Sequence, residues 1–183
     1  MASTRQPADD PGAGDPARWD ADEAVTHLYA AHWRSLVRLA ALLTGGTSSA
    51  DEVVADAFVA LHGRWHALAD PHAAHAYLRA SVVNGCRSVR RHRDVEVRHR
   101  QPAAPEPAGP EERAVRADED AEVMAALRRL PQRQQEVLVL RYYADASEAE
   151  IADALGISRG AVKSHAHRGI AALREALSSR GVR

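Results

Sequence analysis

Residues 130–177 read LPQRQQEVLVLRYYADASEAEIADALGISRGAVKSHAHRGIAALREAL, and this stretch decides the fold. A helix opens at Pro131 and carries Val137, Leu138 and Arg141-Tyr142-Tyr143. Ser147 starts a second helix, and Glu150 three residues on completes a capping box, in which each side chain takes up an amide that the helix leaves unpaired. Ile151, Ala152 and Leu155 form its buried stripe, and Gly156 supplies the left-handed residue that ends it. Ser158 caps a third helix whose apolar residues are Val162, Ala166, Ile170, Leu173 and Leu177. Spacing by three or four sets them on one stripe against the scaffold. At about 100° per residue, Ala161, Ser164, Arg168 and Ala171 fall on the opposite side, with Lys163 and His167 on the flanks. The pattern predicts a helix-turn-helix whose last helix suits a major groove, where bulk would clash and charge meets phosphate. Its candidate DNA-contacting residues are Ser158, Arg159, Lys163, Ser164, His167 and Arg168. A solvated amphipathic helix in a bundle shares the periodicity but not the short turn capped on both sides.

The rest of the chain agrees with a helical protein. Its 183 residues include three tryptophans, four tyrosines and one phenylalanine, so a large aromatic core is excluded. Alanine, leucine and valine dominate the apolar set, and no β-branched alternation stands out; the expected class is all-α. Cys86 is alone, so neither an internal disulfide nor a cysteine-based zinc site can form. No apolar run approaches the roughly 18 residues of a membrane span and no signal core is visible, which predicts a soluble, cytoplasmic protein with no membrane insertion. The net charge of −1 conceals two opposite segments. Arg87, Arg90, Arg91, Arg93, Arg98 and Arg100 make a cationic stretch, followed by Glu106, Glu111, Glu112, Asp118, Glu119, Asp120 and Glu122. Lys163 is the only lysine, and the arginine and alanine bias points to a GC-rich genome.

Residues 1–21, rich in Pro, Gly and Asp, read as a disordered tail. A domain over 22–95 follows. Val25, Leu28, Trp33, Leu36, Leu39, Leu42 and Leu43 give a helix that Gly45-Gly46 ends. Ser49 with Glu52 is read as a second capping box, opening a helix through Val53, Val54, Ala57, Phe58 and Leu61. The polar stretch from His66 to His75 contains the turn signal Asp70-Pro71. A third helix runs from Ala73 or Ala74 to Arg93, its arginine-rich end suiting the helix dipole. Pro102, Pro105, Pro107 and Pro110 exclude continuous helix, so 96–115 is a flexible, acidic linker. A second helical domain then spans 116–178, with a tail over 179–183.

Two helical domains in this order resemble the extracytoplasmic-function group of sigma-70 family factors, the promoter-recognition subunits of bacterial RNA polymerase. The resemblance is carried by Ala50-Asp51-Glu52-Val53-Val54-Ala55-Asp56-Ala57-Phe58 and by Ala76-Tyr77-Leu78-Arg79 with Asn84. In the C-terminal part it is carried by Leu130 to Val137, Glu150-Ile151-Ala152, Gly156-Ile157-Ser158, and Val162-Lys163-Ser164 with Arg168. It covers roughly 22–178 and, with the GC-rich bias, implies an actinobacterial source. It implies core RNA polymerase and promoter DNA as partners, and an anti-sigma factor as a candidate third. By position, Asp51 and Asp56 would contact core polymerase. The segment His66 to His75 would capture a flipped base of the −10 element, and Asn84, Arg87, Arg90 and Arg91 would meet the opened strand. The recognition helix would read the −35 element. Glu106, Glu111 and Glu112 would lie along the path of nascent RNA. The chain departs from the family at Ala55, where Gln is usual, at Asp56, where Glu is usual, and at His165, where Arg is usual. Arginine offers guanine a bidentate fork and histidine does not.

Other chemistry finds little support. Ten histidines invite a metal reading, but neither His72 with His75 nor His165 with His167 is accompanied by the further ligands zinc needs, so no metal site and no cofactor is expected. No phosphate-binding glycine loop and no catalytic set appears, so the chain does not read as an enzyme. The competing class is a free-standing helix-turn-helix regulator of operator DNA. That class calls for a phosphoacceptor or ligand-binding domain, and the N-terminal helices offer neither a βαβ pattern nor an obvious pocket.

Overall fold

The computed structural model describes residues 14–46, 49–99 and 116–178. They form seven α-helices: α1 (Ala21–Thr44), α2 (Ala50–Arg64), α3 (Ala74–His99), α4 (Arg116–Arg129), α5 (Gln132–Tyr142), α6 (Glu148–Leu155) and α7 (Arg159–Ser178). No strand occurs among the described residues. Helices α1–α3 pack around Leu36, Leu39, Leu43, Val54, Leu61, Leu78, Val82 and Val83. Helices α5–α7 pack around Val137, Leu138, Leu140, Ile151, Leu155 and Val162, with α4 lying against α7. Small residues let both units close: a Cβ on Gly85 would sit 2.8 Å from Val53 Cγ1, and one on Gly169 would sit 3.0 Å from Leu138 Cδ1.

The local signals that bound the helices are mostly where the sequence puts them. Ser147 and Glu150 form both bonds of the capping box, and Gly156 ends α6 at φ 63°. Ser158 Oγ accepts the Ala161 amide at 3.1 Å, and Gly45 ends α1 at φ 79°. Ser49 is a correction. It makes no cap bond; its hydroxyl accepts from Arg93 Nη2 at 3.2 Å instead, so the expected box with Glu52 does not form. A box not expected from the sequence, Asp20 with Glu23, starts α1. Residues 16–20, expected in the tail, are folded: Pro16–Arg18 make a 3₁₀ turn and the Trp19 carbonyl accepts from Trp65 Nε1 at 2.8 Å. Helix α3 also continues past the expected boundary, to His99. Glu106, Glu111 and Glu112, expected along the RNA path, lie outside the described residues.

The two helical units meet along a polar seam. Helix α1 ends with carbonyls that no helical amide can reach. Gln135 Nε2 donates to Leu42 O at 2.9 Å, Arg90 to Leu43 O at 3.1 Å and Arg93 to Thr44 O at 3.1 Å. Two cations and an amide thus cover the negative end of the α1 dipole, and the amide comes from the second unit. Further along, Arg79 donates to the Ala144 carbonyl at 3.1 Å and pairs with Glu150.

Candidate nucleic-acid interface

Capping fixes the direction of α7, and burial of Val162, Ala166 and Gly169 fixes its rotation. Ser158, Arg159, Lys163, Ser164, His167 and Arg168 are then all exposed, as their spacing requires. Arg168 Nε bonds to the Ser164 carbonyl one turn back, at 3.2 Å, which steadies the stem of an exposed guanidinium. Glu148, at the start of α6, lies 3.6 Å from Lys163 Nζ and 3.3 Å from Arg141 Nη1. Such exposed pairs contribute about 0–1 kcal/mol, so their value here is to gather cations. A shallow cleft of about 390 Å³ results, lined by Arg141, Tyr142, Lys163, His167 and Arg174. Arg141 and Arg174 were not among the sequence-derived candidates. Arg141 sits at the end of a helix read for its apolar residues, and only the folded turn brings it beside Lys163. His165 is half-buried and its Nδ1 is enclosed without a hydrogen-bond partner. The position where the family often has arginine is therefore set back from the exposed face.

Helix α3 divides its candidates. Asn84 and Arg91 are exposed, with Arg91 Nη2 on Ser88 Oγ at 3.0 Å. Arg87 and Arg90 are turned into the seam. Arg87 forks the Glu136 carboxylate with Nε and Nη2, both at 2.9 Å, and reaches Asn84 Oδ1 at 3.2 Å. Arg90 Nη1 donates to Gln135 Oε1 at 2.6 Å as well as to Leu43 O. Glu136 is only 2% exposed. Burial alone would raise its carboxyl, but hydrogen bonds from Arg87 and Gln132 and the charges of Arg87 and Arg133 hold it below the usual carboxylate range. In this conformation the sequence-derived strand-contacting set is split in two.

On α2, Asp51 and Asp56 are both exposed, as is Ala55. Glu52, free of the expected cap, joins Asp56 along a groove of about 430 Å³ whose other wall carries Ser81, Gly85 and Ser88. Asp51 does not line that groove. Between α2 and α3, the segment His66 to His75 makes one 3₁₀ turn, then a second that Asp70 caps through the His72 amide at 2.9 Å. It borders a cleft of about 490 Å³ walled by Trp19, His27, His32, His72 and His75. The His32 and His75 rings stack at 3.9 Å, and Trp19 stacks on His27 at 4.5 Å. Burial, with help from His32 and Arg79, lowers His75 to about 4. Among the described residues no three His, Cys, Asp or Glu side chains converge as a metal site would need. Cys86 is enclosed, and burial pushes its thiol up to about 12, as suits a small apolar filler. No described helix is long and apolar enough to cross a membrane.

Comparison with known proteins gives one answer. The family described as Sigma-70, region 4 matches residues 120–173. A Streptomyces avermitilis protein named RNA polymerase sigma-E factor is 37% identical over 148 residues, covering 80% of each chain. The Mycobacterium tuberculosis protein named ECF RNA polymerase sigma factor SigL is 34% identical over 161 residues, covering 85% of this chain and 89% of its own. Among solved structures, CnrH in complex with the cytosolic domain of CnrY aligns with a TM-score of 0.67 at 26% identity, over 91% of this chain and 99% of that one. The sigma factor RpoE in complex with the anti-sigma factor NepR from Bartonella quintana shares the fold, with a TM-score of 0.67 at 21% identity over 85% and 97% of the two chains. Coverage of both helical units by relatives at this identity makes the chain a member of the extracytoplasmic-function sigma factors of the sigma-70 family, which act in transcription initiation, alongside relatives from Streptomyces and Mycobacterium.

Proposed function

We propose that this sigma factor binds core RNA polymerase and selects promoters through two DNA elements. The observation that carries the reading is the α7 face: six polar or cationic side chains exposed together above a buried apolar stripe, with Arg141 gathered beside them. That face suits the −35 duplex, Arg168, Lys163 and Arg141 supplying phosphate or base-edge contacts. The set-back of His165 leaves base reading to Ser164, His167 and Arg168. Asn84 and Arg91 would meet the −10 strand. The cleft beside His66 to His75 would take a flipped base, whose extrusion costs a few kcal/mol that ring stacking can offset. The acidic groove edge formed by Glu52 and Asp56, with Asp51 nearby on α2, is the proposed contact for core polymerase. An anti-sigma factor is proposed as a further partner, in keeping with the partner-bound state of the RpoE and CnrH structures.

In vitro transcription with sigma-free core polymerase on a promoter library tests the reading. The chain is expected to copurify with core and to start transcripts from a defined subset. Duplex binding without core, and no initiation with it, would favour a free-standing regulator and overturn the proposal.

A further inference from the structure

Glu148 puts a carboxylate among the cations of the cleft beside α7, where a DNA phosphate would be drawn. We infer that Glu148 is a positioning residue that sharpens −35 selection: it holds Arg141 and Lys163 so that they meet phosphate only when α7 is seated in its own register. The inference rests on the proposed −35 role of α7. The two carboxylate oxygens reach different helices. Oε1 lies 3.3 Å from Arg141 Nη1, at the end of α5, and Oε2 lies 3.6 Å from Lys163 Nζ, on α7. The stem that carries them is fixed. Glu148 is the first residue of α6, whose start is set by the Ser147–Glu150 box and by the Ala146 amide on the Leu140 carbonyl at 2.9 Å. Burial of Ile151, Ala152 and Leu155 sets the rotation of that helix. The Glu148 and Arg141 side chains are 32% and 37% exposed and that of Lys163 is 69% exposed, so the lysine is the looser member. A lysine left free can turn its ammonium to a phosphate in any register, and such a contact favours every duplex alike. Tethered to Glu148 it loses that choice. The carboxylate also repels a misplaced backbone, which is the repulsive element a discriminating interface sets against wrong partners. When Ser164, His167 and Arg168 reach their base edges, the backbone falls where both cations are already aimed.

The full chain and the holoenzyme rebuilt from it test this side by side. Glu148→Gln keeps the side-chain shape and lies outside the Ser147–Glu150 box, so Tm should hold. Against a mixed-sequence DNA duplex in fluorescence anisotropy, the free variant should bind about five-fold more tightly than the parent, the most that exposed pairs of this kind contribute. Its affinity should also fall more steeply with salt. When holoenzyme sorts a promoter library randomised over the −35 positions, the variant should enrich the parent's preferred sequences about five-fold less. Glu148→Asp separates positioning from charge, because it keeps the carboxylate but is one carbon too short to span both cations. It should sort as poorly as Glu148→Gln while its salt dependence stays that of the parent. In a Lys163→Gln background, Glu148→Gln should alter sorting less than it does alone, since its effect runs through the lysine. Sorting by Glu148→Asp equal to the parent's overturns the inference, and so does an unchanged duplex affinity in Glu148→Gln. Should Glu148→Gln lower Tm, the Glu148→Asp comparison decides. A parent holoenzyme that sorts no −35 sequence strikes the proposed function and this inference with it; a parent that sorts beside variants that sort equally well strikes the inference alone.

Discussion

Helices α3 and α7 are alike on paper. Each has a buried apolar stripe, a glycine at its closest crossing, and a scatter of cations between. In the fold they differ in what the cations face. The α7 cations reach solvent, with one acidic neighbour at 3.6 Å from Lys163. Among the α3 arginines, Arg87 is paired with a buried carboxylate, and Arg90 and Arg93 cover the last carbonyls of α1. A guanidinium is equally good at binding phosphate, capping a helix and pairing with glutamate. Its sequence neighbourhood says that one of these happens; the packing of a distant element says which.

Crossed substitutions should separate the two helices most sharply. Arg168→Ala is expected to lower −35-dependent initiation by ten-fold or more, since one good bidentate contact is worth about 1–3 kcal/mol, while core binding and Tm stay put. Arg87→Ala should lower Tm by several degrees, because Glu136 loses its fork and stays buried with Arg133 and Gln132 alone. Abortive initiation assays beside thermal melts would show it, and the reverse pattern would erase the distinction between the helices.

The glycines give a finer comparison. Gly85→Ala places a methyl 2.8 Å from the stiff, branched Val53, and about 1–3 kcal/mol of destabilisation is expected. At Gly169 the nearest atom, at 3.0 Å, ends a Leu138 side chain that can turn aside. Gly169→Ala should therefore cost less in a urea titration, helped by the better helix propensity of alanine. Equal costs would mean that α3 and α7 are seated with equal tightness.

Acid should act on the seam side. His75 sits at about 4 against its ordinary 6.5, so across that window the unfolded chain binds the extra proton. Stability then rises with pH and falls as pH drops from 6.5 towards 4, by at most about 1.4 kcal/mol per pH unit for one proton. Glu136 and Glu150, both held low, add stability that is present above their ordinary range and lost as pH falls through their folded values. Between pH 7 and pH 5 the protein should thus lose more Tm than His75→Gln does, which calorimetry at the two pH values can check.

What could be read in the sequence was what is decided locally. The Ser147–Glu150 box, the turns at Gly45 and Gly156 and the stripe of α7 each involve residues a few positions apart, and the six exposed α7 candidates follow from them. Ser49 shows the limit. The same box pattern is present, but Arg93, 44 residues away, takes the hydroxyl. Arg87 and Glu136 are 49 residues apart, and no periodicity announces their meeting. The folded segment before α1 is illegible for a like reason, since its anchor is a Trp65 indole bonded to Trp19 across 46 residues.

The shared covering of α1's last turn has a thermodynamic consequence. Leu42 O is bonded from the second unit, and Leu43 O and Thr44 O from the first, so fraying of α1 and departure of α5 draw on the same set of bonds. The two units are thereby coupled in unfolding. When α5 leaves, water can reach the Leu42 carbonyl, and the arginine bonds that remain belong wholly to the first unit. Loss of α5 should therefore loosen the end of α1 while the bonds from Arg90 and Arg93 stay in place.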